Sequence, residues 1–271
     1  MVFSVLRKFS IFLKFAVKFD NMRSSHLSYR TSNPALNKNT FKSISSSNRF
    51  TLDQKMTIKG TVDKTAICLI LLLIPAYYVF TTGFAGYAIP GAIIGFILAM
   101  VTIFKRTWAQ YTVPAYSVAQ GFFLGGVSYY YDQSYDGIVL QSISLTIFIL
   151  FSLLFAYRSK IIRPDENFKL GLFAATGGIF LLYIVNLIMS FFGSGISVLD
   201  VNNSSNFSIG VSLFIVVIAS LNLVIDFDFI EEGSEKGAPK FMEWYGAFGL
   251  LVTLIWLYLE ILRMLAKMKN R

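Results

Sequence analysis

Seven long apolar stretches fill most of the chain between residues 66 and 265, and the charged residues lie mainly between them. Each stretch is close to the length of about 20 apolar residues that a helix needs to cross a bilayer. Only 14% of all residues are charged, whereas about a quarter are charged in a typical soluble domain. The sequence therefore predicts an all-α integral membrane protein, a bundle of seven transmembrane helices.

The predicted domain covers residues 56–271. The first two spans form one uncharged stretch that is too long for a single helix across a bilayer about 30 Å thick. A tight hairpin is therefore expected there, with Gly83, Gly86 and Pro90 as its turn signals. By length, the spans are placed near 66–84, 85–104, 111–131, 137–157, 170–192, 207–230 and 244–265.

Residues 1–55 are predicted to be a basic tail, and its section 20–52, rich in Ser, Asn, Lys and Arg, is expected to be flexible. Residues 1–19 mix apolar residues with four basic ones, and two interpretations stay open. This segment is either an amphipathic segment on the membrane surface or an extension upstream of a working start at Met22.

The distribution of basic residues predicts the orientation. Half of the 24 Lys and Arg residues precede the first span, and the connections at 83–86, 132–136 and 193–206 contain none. By the positive-inside rule the N-terminus is cytoplasmic, and seven spans then place the C-terminus outside. The C-terminal end nevertheless carries four basic residues, which would fit the rule if the seventh stretch were re-entrant.

The net charge of +9 is explained by these topology signals and by contacts with anionic lipid. The lipid bilayer is therefore an expected partner and nucleic acid is not. The one cysteine, Cys68, excludes an intrachain disulfide and a Cys-rich zinc site. The one histidine, His26, lies in the tail, so no span offers a His-dependent catalytic group. The chain is predicted not to be an enzyme and to have no cofactor and no fixed metal site.

Small residues mark the surfaces where helices are expected to pack. Gly91 and Gly95 form a GxxxG pattern in the second span, and Gly121 and Gly125 form another in the third. The fifth span has Gly171, Ala175 and the run Thr176, Gly177 and Gly178. Such residues let membrane helices approach closely, which favours a compact bundle.

Acidic residues inside the apolar stretches are the main functional candidates. They are Asp226 and Asp228, near the end of the sixth stretch, and Glu260, inside the seventh. A carboxylate in hydrocarbon is costly, so it is by default a functional residue that faces the protein interior or a water-filled cavity. A carboxyl group in such a place is able to change its charge near physiological pH, which a gate can sense.

The two aspartates are expected to differ in role. Asn222 and Asp226 share one helix face, whereas Asp228 points about 200° away from Asp226. Asp226 is the deeper residue, and the alternative for it is a cap or lock at a helix end. For Asp228 and Glu243 a solvated position at the membrane interface is favoured over a functional role.

The seventh stretch places Thr253, Trp256, Glu260 and Arg263 on one helical stripe. Glu260 and Arg263 are three residues apart and so can form an ion pair, the structural alternative for Glu260. Supporting roles around the acids are assigned to Asn222, Thr253, Glu243 and Arg263.

The sequence resembles the Bax inhibitor 1 family, and within it the bacterial YccA-like branch, from about residue 30 to the C-terminus. The block 221–263 is the most specific part of the match. The matching segments are SNPAL (32–36), MTIKGTV (56–62), AATGG (174–178), LNLVIDFDFIE (221–231), GAPK (237–240), EWYGAFG (243–249) and LYLE (257–260).

This resemblance implies a bundle in which six helices surround the last one, in a bacterial inner membrane. It also implies a pH-dependent calcium leak through an acidic pair, with one acid on each of the last two spans. Asp226 matches the first acid. The second position falls on Glu260 by the LYLE segment, or on Thr253 if the helix ends are aligned through Arg263. In a straight hairpin Asp226 and Glu260 would lie roughly 15 Å apart in depth, so Asp226 acting alone or with Asp228 stays open.

Two functions are therefore expected. The first is a pH-sensitive leak pathway for calcium or another cation, because hard cations prefer oxygen ligands. The second is a non-transporting regulator that binds a membrane protease or another membrane protein.

Overall fold

The computed structural model describes residues 55–162 and 164–271, and the predicted tail lies outside them except for Lys55. The described residues form seven α-helices and three short 3-10 turns, with no strand. The predicted all-α bundle of seven helices is thereby confirmed. The helices are α1 (Ile58–Thr82), α2 (Ala88–Phe104), α3 (Ala109–Ser134), α4 (Ile138–Arg158), α5 (Glu166–Phe191), α6 (Asn206–Glu235) and α7 (Met242–Lys269).

Local signals explain where the first helices begin and end. Thr57 caps α1, because its side-chain oxygen accepts a hydrogen bond from the Gly60 backbone N–H. Gly83 ends α1 in the left-handed conformation with φ +70°, which glycine adopts without a steric penalty. The long uncharged stretch is therefore divided at Gly83, one of the residues expected to form the hairpin.

Six of the seven helices are long and apolar enough to cross a membrane, which supports an integral membrane protein. For α2 this length includes the 3-10 turn before it, so that the span is Ala85–Phe104. The exception, α3, has 26 residues, long enough to cross, but it is more polar. Its Thr112, Ser117, Gln120 and Ser128 are all buried. These side chains face neighbouring helices because α3 packs against α1, α2 and α7.

The last helix is the centre of the bundle, as the resemblance implies. In α7, 21 of 28 residues are buried, against 3 of 21 in α4. The helix contacts α1, α3, α4 and α6 along its length. Its side chains are therefore largely shielded from lipid by other helices.

The two GxxxG patterns make the predicted close contacts. A Cβ atom on Gly121 would overlap the carbonyl oxygen of Leu72 on α1, and one on Gly125 would lie 2.6 Å from the Ala76 carbonyl oxygen. On α2, a Cβ atom on Gly91 would lie 2.7 Å from a backbone oxygen of α3. These glycines are therefore needed for the backbones of α1, α2 and α3 to touch.

The small residues of the fifth span behave differently from this expectation. A Cβ atom on Gly171 or Gly178 would meet nothing within 4 Å. Thr176 of this run is buried, and its hydroxyl oxygen accepts a hydrogen bond from Asn222 on α6 at 3.0 Å. A polar contact thus links α5 to α6 at this level.

Candidate functional site

Asp226 lies in the protein interior, at the contact between α6 and the central helix. The residue is only 8% exposed. Its Oδ1 atom lies against Gly249 of α7, where a Cβ atom would come within 3.6 Å. The carboxyl group is therefore held beside the backbone of α7, away from lipid, as expected for an interior acid.

Asn222 lies one turn before Asp226, and it is also buried. Its side-chain nitrogen donates to the Thr176 hydroxyl at 3.0 Å and to the Ile218 carbonyl oxygen at 2.7 Å. The bond to Thr176 fixes the rotation of α6 against α5. Asn222 thereby supports the orientation in which the next turn directs Asp226 toward α7.

Asp228 has a different environment from Asp226, as their directions on the helix suggested. It forms an ion pair with Lys169 in the first turn of α5, with 2.6 Å between Nζ and Oδ2. The two side chains are 24% and 11% exposed. Asp228 is thus partly solvated but paired. Sequence reasoning counted Lys169 only as a topology signal and missed this contact between distant segments.

The glutamates that follow Asp228 have partners of their own at the end of α6. Glu231 accepts a hydrogen bond from the Tyr157 hydroxyl of α4. Glu232 pairs with Lys236 one turn later. These acids belong to the rim of the bundle.

Glu260 is completely buried and forms the predicted pair with Arg263. The Arg263 Nη1 atom lies 3.0 Å from Oε2 and 3.2 Å from Oε1 of the carboxylate. The Tyr183 hydroxyl on α5 donates to Oε1 at 2.7 Å. Glu260 therefore forms the ion pair that was given as the alternative to a functional role. Tyr183 is a further partner that the sequence did not indicate.

Glu260 and Asp226 are not neighbours in this structure. Gly249, which marks the level of Asp226 on α7, precedes Glu260 by 11 residues, or about 16 Å of helix. Thr253 is buried one turn beyond Gly249. Of the two candidates for the second position, Thr253 is therefore the nearer to Asp226 in depth.

Glu243 contradicts the expectation of a solvated position, because it is 0% exposed. Its Oε1 atom accepts hydrogen bonds from the Thr57 backbone N–H and hydroxyl, both at 3.0 Å, and the carboxylate also pairs with Lys64. The first turns of α1 and α7 are adjacent, so the carboxylate lies at the N-terminus of α1, where negative charge is stabilised. The contact of Glu243 with Thr57 and Lys64 is called the α1–α7 clasp below.

The clasp depends on residues near it. A Cβ atom on Gly60 would overlap the Glu243 carboxylate. Just before α1, the Met56 backbone N–H donates to the Ala238 carbonyl oxygen at 2.6 Å. The segments MTIKGTV and GAPK are thus brought together at one end of the bundle.

The remaining observations concern side chains that could bind a metal ion. Within residues 55–162 and 164–271, no three His, Cys, Asp or Glu side chains are grouped so that they could hold a metal ion. Cys68 is buried in α1, and His26 lies outside the described residues.

The chain was also compared with known proteins. A family model described as Bax inhibitor 1 like matches residues 33–270, which include all seven helices. Searches of curated proteins and of solved structures gave no match. The matched residues make up most of the chain. The chain therefore belongs to the Bax inhibitor 1-like family.

Proposed function

We propose that this membrane protein is a pH-sensitive leak pathway for cations, with calcium as its ion, and that it has no enzymatic activity. The observation that supports this proposal best is the buried carboxyl group of Asp226 between α6 and α7. A carboxylate oxygen in a bundle interior attracts a hard cation, and a charge in such a place is by default functional.

A change in the charge of Asp226 would act on the contact between α6 and α7. Gly249 has no side chain, so the Asp226 carboxyl group lies beside the backbone of the central helix. Burying a charged carboxylate away from water in a well-packed interior costs much free energy, and burying a neutral carboxyl group costs much less. Titration of Asp226 would therefore shift the balance between closed and open packing of the two helices.

The orientation and membrane are part of the same proposal. The connections that share a side with the segment before α1 carry the basic residues Lys105, Arg106, Arg158, Lys160, Arg163, Lys169, Lys236 and Lys240. By the positive-inside rule this side faces the cytoplasm. We assign the protein to a bacterial inner membrane, in the YccA-like branch of its family, with a cytoplasmic N-terminus.

Calcium flux into proteoliposomes between pH 6 and pH 8 tests the proposal. Asp226→Asn keeps the size of the side chain but removes its titration, so it should alter the flux and abolish the pH response. Asp228→Asn is the matched control, because it removes a carboxylate from the same part of α6 where that group is partly solvated and paired with Lys169. The control should keep the pH response.

An unchanged flux and pH response in Asp226→Asn would reject the leak pathway. That result would favour the alternative, a regulator that binds a membrane protease or another membrane protein without transporting ions. Crosslinking in native membranes, with and without residues 22–55, would then show whether such a partner is held and whether the tail is needed.

A further inference from the structure

Lys267 is a completely buried lysine near the C-terminal end of α7. Its Nζ atom donates to the Val198 carbonyl oxygen at 2.6 Å and to the hydroxyls of Ser208 and Ser212, both at 2.9 Å. An ammonium group has three N–H donors, so all of them are satisfied. The three acceptors, here called the oxygen cage, are uncharged, and none is a carboxylate.

The charge of Lys267 is therefore solvated by dipoles and is not neutralised by a direct ion pair. Arg263 lies one turn earlier on α7, and Glu260 lies seven residues before Lys267, about 10 Å along the helix. Glu260 already contacts Arg263 and the Tyr183 hydroxyl. Asp200, in the connection between α5 and α6, also acts electrostatically on Lys267, but the Nζ atom itself contacts only uncharged oxygens.

The oxygen cage lies far from Asp226 along the contact between α6 and α7. Ser212 precedes Asp226 by 14 residues on α6, which corresponds to about 21 Å of helix. Val198 belongs to the connection between α5 and α6, at the opposite end of the bundle from the α1–α7 clasp. An ion that follows α7 from Asp226 to the far end of the bundle would reach the depth of Lys267 before it leaves the protein.

We propose that Lys267 is a tethered cation that closes the far end of the ion pathway. This inference rests on the proposed leak function. The oxygen cage holds the ammonium group as it would hold a free cation, and the bound charge repels a second cation strongly where little water screens it. The barrier is electrostatic, so it should act on calcium and not on an anion of similar size.

The test compares Lys267→Met with Lys269→Met in proteoliposomes, with calcium and chloride fluxes measured separately. Both variants remove one positive charge from the same end of α7, but Lys269 is exposed and lies outside the cage. Lys267→Met should raise calcium flux on the order of tenfold without raising chloride flux, and Lys269→Met should leave both unchanged. Lys267→Gln keeps N–H donors for the oxygen cage, and it should give the same result if the methionine variant does not fold.

Three results would overturn the inference: no rise in calcium flux, equal rises in calcium and chloride flux, or the same rise in Lys269→Met. Equal rises would mean that Lys267 only holds the helices together. Asp226→Asn, measured in the same vesicles, separates the two proposals. If that variant behaves like the native protein, the leak function itself fails. If it loses the pH response while Lys267→Met has native flux, only the tethered cation is rejected.

Discussion

Asp226 on α6 faces Gly249 on α7, where a Cβ atom would lie 3.6 Å from the carboxylate oxygen Oδ1. This contact fixes the depth of the interior acid on the central helix. Glu260 lies about 16 Å farther along α7 and is bound by Arg263 and Tyr183. The two acids are therefore separate sites, one beside a glycine and one in an ion pair.

Glu260→Gln should lower stability but keep the pH response of calcium flux. The substitution removes the carboxylate from Arg263 in a buried pair, which should cost about 3 kcal/mol. The pH response should persist because Asp226 is unchanged. Unfolding in detergent measures the first effect, and vesicle flux between pH 6 and pH 8 measures the second.

The control for this variant is Glu232→Gln, which breaks a more exposed ion pair with Lys236 and should cost less than about 1 kcal/mol. If Glu260→Gln made the flux independent of pH, Glu260 would act together with Asp226 despite their separation.

Gly60→Ala should open the α1–α7 clasp. The new methyl group would overlap the Glu243 carboxylate, which is fixed by Thr57 and Lys64. A loss of roughly 2 kcal/mol is expected for such overpacking, measured by thermal unfolding in detergent. Gly171→Ala is the control, because nothing lies within 4 Å of its Cβ position. Equal stability of the two variants would show that the clasp contributes little.

Gly121→Ala should separate α1 from α3. Its methyl group would overlap the backbone carbonyl oxygen of Leu72, which cannot move without the whole helix. The expected loss is about 1–3 kcal/mol, whereas Gly178→Ala, in open space on α5, should be nearly neutral. Chemical denaturation in detergent would reveal the difference, and a neutral Gly121→Ala would contradict the close contact of α1 and α3.

Thr176→Val should weaken the link between α5 and α6. The valine has nearly the same shape but cannot accept the hydrogen bond from Asn222, and a bond of this kind between membrane helices contributes roughly 0.6 kcal/mol. Thr146→Val is the matched control, because that buried hydroxyl donates within its own helix, to the Ser142 carbonyl oxygen. Replicate melting curves should show the larger loss for Thr176→Val, and equal losses would argue against the link.

Some expectations from the sequence held because they depend on local signals. The division of the uncharged stretch follows from Gly83, and the Glu260–Arg263 pair follows from their spacing on one helix. The prediction that Glu243 is solvated was wrong, because the burial of this residue depends on a distant segment, the first turn of α1. The close packing expected of Gly171 was wrong for a similar reason, since neighbouring helices leave that face of α5 open.

The sequence alone determined the membrane class and the seven helices. Runs of about 20 apolar residues must satisfy their backbone hydrogen bonds within a helix in lipid, and this requirement can be read along the chain. Only the tertiary structure decided which groups meet: Asp228 with Lys169, Glu260 with Tyr183, and Lys267 with the oxygen cage. Those contacts depend on the rotation and depth of each helix against its neighbours, which packing between residues far apart in the chain determines.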